Sequence, residues 1–340
     1  MRNKLPDKRA TNYHPAVHRK KTAAHKLNRA PVRIPRDCDT REAVVAGKMV
    51  DLTNLRKVFW PDRGITKGDL LQFYSDLSPV LLPHLVDRAM VMKRYPNGIA
   101  GDFFFMKRAP SPRPDWIETC AIEHASGNII DFPVIRDLPS LLWVTNLGCI
   151  DLNPWYARCD DVDRPDYLHF DLDPVQGATW EQMLETASVV HEALTQLKLP
   201  SFIKTTGSKG FHIYVPIVRG PTQKEVWTFA KRLALSLASL RSDLITAEYR
   251  IAKRPRSRVL VDYNQNAWGR TLASVYSVRP QPEATVSTPI TWKELERGVR
   301  IEDFRMDNVR ARINAMGDLW SPLLAKKGRA KLESLYGPAR

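Results

Sequence analysis

Residues 167–174 read YLHFDLDP. Side chains on a β-strand alternate at period two, so Leu168, Phe170 and Leu172 face one side while Asp171 and Asp173 face the other, about 7 Å apart along the strand. Two carboxylates thus share one face near a strand end. Left uncompensated, each raises the pKa of the other; a divalent cation between them removes the repulsion and keeps both ionised. Oxygen-only ligands suit Mg²⁺ or Mn²⁺. The same residues also read as solvent-facing acids before a turn proline, and glycosyltransferases and nucleases use such a pair, so the motif alone selects no reaction.

Working outward, further strands are expected at 89–95, 103–108, 117–123, 128–135, 201–206, 211–217, 258–263 and 273–278, each rich in β-branched or aromatic residues and bounded by Gly, Pro, Asn or Asp. Helices are expected at 67–82, behind a capping box of Thr66 and Asp69, at 179–197 and at about 222–240. Strands, helices and hairpins mix without strict βαβ alternation, which makes the fold α+β.

The chain has 340 residues, 43% hydrophobic and 26% charged, enough for a proper core, which excludes disorder throughout. No run of about 18 apolar residues occurs, so no membrane partner is expected and the place of action is expected to be the cytoplasm. Cys38, Cys120, Cys149 and Cys159 form no C-x-x-C pair and are expected as free thiols. Of the net charge of +15, ten units lie in residues 1 to 36, where eleven Lys or Arg face only Asp7. A basic arm on a folded domain suits a polyanion, with nucleic acid first. The expected organisation is a disordered basic arm over 1–40, one catalytic domain over 44–324 and a basic tail over 325–340.

Two more segments carry chemistry. SFIKTTGSKGFHIYVPI, residues 201 to 217, places a Thr-Thr-Gly-Ser-Lys-Gly turn between two strands, whose amides, hydroxyls and ammonium make a plausible phosphate cradle. It lacks Walker spacing, which argues against P-loop chemistry. His212 projects from the face opposite Phe211 and Ile213. In SRVLVDYNQN, residues 257 to 266, Asp262 sits in an otherwise apolar strand, where an unpaired buried carboxylate costs several kcal/mol and needs a cation, a metal or water.

These segments, with LTNLRKVFWPDRGITKGDLLQFY, MKRYPNG, FFFMKR, LLWVTNLGCIDLNPW and SVYSVRP, resemble the polymerase domain of bacterial ligase D, of the archaeo-eukaryotic primase superfamily, over nearly all of residues 51 to 324. The resemblance implies a primase-like catalytic domain with mixed and antiparallel sheets flanked by helices. It also implies a template-dependent nucleotidyltransferase that adds nucleoside triphosphates, ribonucleotides preferred, to a primer 3′-hydroxyl at gaps or broken ends. It places two Mn²⁺ or Mg²⁺ ions on Asp171, Asp173 and Asp262, and the incoming nucleotide on Thr206, Ser208, Lys209, His212 and Arg279, with Gln265 nearby. Asn54, Lys57 and Lys67 match a pocket for a downstream 5′-phosphate; Arg94, Phe104 and Phe105 match the template side. Asn153 stands where the family commonly has His before Pro-Trp, so that contact loses a chargeable group. The partners implied are gapped or broken DNA, a separate DNA ligase and a Ku-like end-binding protein. Read without the resemblance, Lys57 and Lys67 are surface charges and one or more rings of Phe103-Phe104-Phe105 are buried. The rival functions are a DNA-end scaffold that has lost catalysis and a metal-dependent glycosyltransferase.

Overall fold

The protein is described here by a computed structural model covering residues 32–124 and 126–333. Residues 1–31 of the basic arm and 334–340 of the tail lie outside the described residues.

A hairpin of β1 (Arg41–Val45) and β2 (Lys48–Leu52) and a ribbon of β3 (Val58–Trp60) and β4 (Ile65–Thr66) lead into α1 (Lys67–Leu85). The Thr66 hydroxyl accepts from the Asp69 amide and the Asp69 carboxylate from the Thr66 amide, the reciprocal cap expected at this start. β5 (Met90–Arg94) and β6 (Phe104–Met106) pair, a hairpin of β7 (Thr119–Glu123) and β8 (Ile129–Pro133) follows, and α2 (Leu138–Asn146) returns the chain to β9 (Cys149–Pro154) on the other edge of β5. After the short pair β10 (Ala157–Arg158) and β11 (Asp161–Pro165) come β12 (Tyr167–Pro174), α3 (Trp180–Gln196), β13 (Phe202–Thr205), β14 (Phe211–Pro216), α4 (Gln223–Leu240), β15 (Ile245–Thr246), β16 (Val259–Asp262), β17 (Pro289–Ile290), α5 (Trp292–Glu296) and α6 (Val309–Met316).

The sheet that decides the architecture has the order β15-β16-β12-β14-β13-β17, antiparallel except at β15–β16. Its apolar side carries Leu168, Phe170 and Leu172 of β12 and Phe211, Ile213 and Val215 of β14, all fully buried, each worth about 1.5–3 kcal/mol for the larger side chains. α3 and α4 cover this side, with Trp180 of α3 against Phe211 at 5.1 Å between ring centroids. The other side of the sheet is left with the polar residues of the alternation. The α+β expectation and the antiparallel, helix-flanked sheet therefore hold.

Three expectations need correction. Residues 273–278 form no strand: Tyr276 has φ of 59°, a left-handed conformation that no strand sustains, and the segment is pinned by Ser274 N to Leu152 O, Tyr276 N to Ser287 O and Val278 N to the Tyr74 hydroxyl. The folded body also reaches past 44–324. Ile34 is buried, and Val32 O accepts from Ser75 Oγ and Gln72 Nε2 of α1; at the other end Ala330 N donates to Pro216 O and Leu332 is buried. Finally, none of Phe103, Phe104 and Phe105 is buried: they are 50, 43 and 62% exposed, because the run lies at the edge strand β6, touched by Tyr95, Lys93 and Arg94. All four cysteines are free thiols, and among the described residues no helix is long and apolar enough to cross a membrane.

Candidate active site

Register decides which polar side chains meet. Asp171 on β12 lies opposite Asp262 on β16 and opposite His212 on β14, and His212 lies opposite Lys204 on β13. Asp262, Asp171, His212 and Lys204 therefore form one row across four adjacent strands, with cross-strand neighbours about 5 Å apart. Asp173 sits two residues along on the same face as Asp171. Segments 90 residues apart in sequence thus bring the three acids together.

The row is short of positive charge on its acidic end. Asp171 is pushed up to about 7, first by burial and then by Asp262, against the opposing pull of Lys204 and Arg279. Asp173 is pushed up to about 7 as well, first by the charge of Asp171, then by burial and Asp262. Asp171 Oδ1 lies 3.2 Å from His212 Nε2 but without hydrogen-bond alignment, so this buried oxygen has no donor. Asp262 is differently engaged: its Oδ1 accepts from Asn264 N at 2.7 Å and its Oδ2 from Gln265 Nε2 at 3.0 Å. As placed, no three His, Cys, Asp or Glu side chains among the described residues close into a ready-made ligand cluster. The donor set nonetheless fits a hard divalent cation: oxygen ligands only, mutually repelling, one of them orphaned.

The turn at 206–210 departs from the expected cradle. Thr206 Oγ1 accepts the amides of Ser208, Lys209 and Gly210 at 3.0–3.1 Å, so the hydroxyl of the protein's own threonine fills the nest that a phosphate was expected to occupy. What the turn offers outward is the exposed Lys209 ammonium and Ser208 Oγ, which accepts from Gln281 Nε2. Arg279 is fastened to the turn by Nη1 donating to Thr206 O at 2.6 Å, and its Nε lies 3.4 Å from Asp151 Oδ1. Asn153 donates to Asp151 O on β9.

A cavity of about 250 Å³ is lined by Thr53, Asn54, Lys57, Lys67, Arg94 and Asn146 among others. Three cations face one small space. Lys67 is buried, with Nζ donating to Thr53 O at 2.6 Å, and burial, then Lys57, lower its pKa to about 8. The amides at the start of α1 are not free for an anion: those of Lys67, Gly68 and Asp69 donate to Lys57 O, Leu55 O and Thr66 Oγ1. Anion affinity here rests on the side chains. Arg94 also lies 5.2 Å from the Phe104 ring, while Lys93 sits 4.1 Å from that of Phe103, so cations back the exposed aromatic run.

Sequence reading missed Lys204, Asp151 and Lys93. Asp151 is a buried carboxylate between Arg279 and Lys93, its pKa raised by burial against both cations. Lys204 is legible only through the hairpin: Thr205 opposite Phe211 across the turn sets Lys204 opposite His212. Asp151 is hidden in an apolar run between Ile150 and Leu152.

An antiparallel sheet that carries an acidic pair on adjacent inner strands, continued by His212 and Lys204, together with a basic cavity on the same fold, is the arrangement of a primase-polymerase type of domain. The family model described as "LigD, primase-polymerase domain" matches residues 66–320, and the chain belongs to that family. The multifunctional non-homologous end joining protein LigD of Mycolicibacterium smegmatis is 34% identical over 276 residues, which is 81% of this chain and 36% of the relative. The bifunctional LigD of Bacillus subtilis is 28% identical over 272 residues, 79% of this chain and 43% of the relative. The match thus spans well under half the length of these relatives. In three dimensions the polymerase domain of Mycobacterium tuberculosis ligase D, solved in complex with DNA, superposes with a TM-score of 0.76 at 30% identity, covering 81% of this chain and 98% of that one. Family membership implies a nucleotidyltransferase. Asn54 and Lys57 precede the family match, and their place in the basic cavity comes from the fold alone.

Proposed function

We propose that this chain is a template-dependent primase-polymerase that extends a primer 3′-hydroxyl at gaps or broken DNA ends. The observation that carries the reading is the register that sets Asp262 and His212 on either side of Asp171. Asp171, Asp173 and Asp262 would hold two Mn²⁺ or Mg²⁺ ions, which when bound supply charge for the attacking and leaving oxygens of an in-line displacement. Asp262 would exchange its bonds to Asn264 and Gln265 for that role. His212, Lys209 and Arg279 would bind and orient the triphosphate. Asp151 would hold Arg279 from behind, and Ser208 and Asn153 would add neutral contacts. Thr206 would act by shaping the turn.

The basic cavity of Asn54, Lys57, Lys67 and Arg94 would take the 5′-phosphate of the downstream strand, and Phe104 and Phe105 would stack on template bases. Use in end joining follows the names of the relatives; a DNA ligase and an end-binding protein would be the partners such a role needs. The deciding assay extends a labelled primer on gapped DNA bearing a downstream 5′-phosphate, with Mn²⁺ and ribo- or deoxyribonucleotides, against Asp171→Ala. Binding without extension would favour a scaffold, and absence of DNA binding would remove both readings.

Two smaller effects are expected. Lys67→Ala weakens binding to 5′-phosphorylated gaps by about tenfold or more, the worth of a charged hydrogen bond, and leaves unphosphorylated gaps nearly unchanged. Because Lys67 titrates near 8, the wild-type preference for phosphorylated ends falls between pH 7 and pH 9; bound phosphate moves the fall upward, and Lys67→Ala flattens it. Equal losses on both DNAs would refute the pocket. Phe104→Ala costs about 1–3 kcal/mol of affinity for single-stranded template, as for one lost base stack, with thermal stability unchanged because the ring is exposed. Titration of a fluorescent gapped DNA measures both.

A further inference from the structure

Lys204 is fully buried, yet it is a lysine on β13, an inner strand next to the edge of the six-stranded sheet. Such a group persists only where each of its hydrogens has a partner. Its Nζ contacts Ser287 Oγ at 2.6 Å, Ala273 O at 2.9 Å and His212 Nδ1 at 2.7 Å. The Ser287 hydroxyl gives its own hydrogen to Thr205 O at 2.8 Å, so its oxygen receives from Lys204; the Ala273 carbonyl can only receive. Two N–H groups are thereby assigned, and the third N–H of an ammonium goes to Nδ1. Burial, then Arg279, lowers the Lys204 pKa well below the usual lysine value against the pull of Asp171; a neutral amine accepting from Nδ1–H would fit the same distances, and we take the ammonium, which gives each of the three neighbours a hydrogen.

Beside an ammonium Nδ1 is the acceptor, and the hydrogen of a singly protonated imidazole is then on Nε2. Nε2 points along the row toward Asp171, 3.2 Å away and out of alignment, and so remains able to serve another acceptor. We infer that Lys204 is a positioning residue that acts through His212: it fixes the ring's orientation and tautomer so that Nε2–H is presented to the incoming nucleotide's phosphates, with the positive charge held one strand behind. The inference rests on the polymerase reading and deepens it, because it names the residue whose contact with Nδ1 sets which way the His212 ring presents Nε2. The turn at 206–210 supports it. Thr206 withdraws the backbone amides from the phosphate, leaving side-chain donors to supply the contacts.

The test is a double-mutant cycle on the full chain with Lys204→Met, His212→Ala and the combined variant, read as nucleotide KM and kcat in primer extension and as affinity for gapped DNA. Lys204→Met is expected to raise nucleotide KM by about 10- to 100-fold, the worth of a charge-assisted contact, with gapped-DNA affinity unchanged, and to add nothing in the His212→Ala background. Losses that multiply would overturn the inference, since Lys204 would then act independently of His212. A second measurement needs no Lys204 variant: in protein labelled with ¹⁵N-histidine, with His212 assigned by its absence in His212→Ala, long-range ¹H–¹⁵N correlations are expected to show hydrogen on Nε2 and none on Nδ1. Hydrogen on Nδ1 alone would sink the idea even if Lys204→Met failed to fold. A wild-type chain that neither extends primers nor binds Mn²⁺·ATP would remove the polymerase reading itself, and the inference with it; a working enzyme with multiplying losses removes the inference alone.

Discussion

Asp171→Ala is expected to reduce nucleotide addition by about a thousandfold or more, because several kcal/mol of charge stabilisation at the reacting phosphate depend on the cations it would share. DNA binding is expected to persist, since the basic cavity and the exposed phenylalanines lie on other elements. The same residue sets a stability signature. A carboxylate near 3.9 in the unfolded chain and about 7 in the metal-free fold holds its proton more tightly when folded. Its contribution is therefore full below pH 4 and is lost as pH rises to 7. Wild-type protein without metal is expected to lose stability over that range, Mn²⁺ is expected to restore more of it at pH 7.5 than at pH 5, and Asp171→Ala is expected to blunt both effects. Thermal unfolding at the two pH values, with and without Mn²⁺, measures this. A variant that still extends primers at the wild-type rate would end the assignment.

Gly210→Ala is expected to be the most damaging single-methyl addition near the site. A Cβ there would lie 1.9 Å from Leu172 O and 2.7 Å from Met183 Cε. The methionine tip can move, but the carbonyl belongs to β12, which is paired on both sides, to β14 through Leu172 with Phe211 and to β16 through Leu172 with Val261. Relief would have to come from separating β14 from β12 at the position between Asp171 and Asp173. Overpacking without room to relax costs about 3 kcal/mol or more, and here it also displaces the row of Asp171 and His212. Urea unfolding and primer extension should both fail or fall sharply. A Gly210→Ala protein with wild-type stability would mean that the turn does not rest on Leu172.

Much of the scaffold was readable because its signals are local. The capping boxes at Thr66, Thr179 and Thr222 started helices where expected, and period-two alternation in YLHFDLDP and FHIYVP set the two faces of the central strands. α1 ran on to Leu85 through Pro79 and Pro83, past its expected end, since packing against the core outweighed two missing amides. The segment 273–278 has strand composition but spends its hydrogen bonds on Leu152, Ser287 and Tyr74, partners that composition cannot name.

The candidate site divides in the same way. That Asp171 and Asp173 share a face, and that Lys57 and Lys67 are cations near a helix start, follows from residue type and spacing of a few positions. That Asp262 stands opposite Asp171, that Lys204 is buried behind His212, that Thr206 consumes the amides of its own turn, and that Phe103 to Phe105 face outward on an edge strand were decided only by the tertiary structure. Periodicity and caps act over one or two turns of chain and are written in it; strand register, sheet edges and the burial of a charge arise from pairing between distant segments, whose free energy no single segment contains.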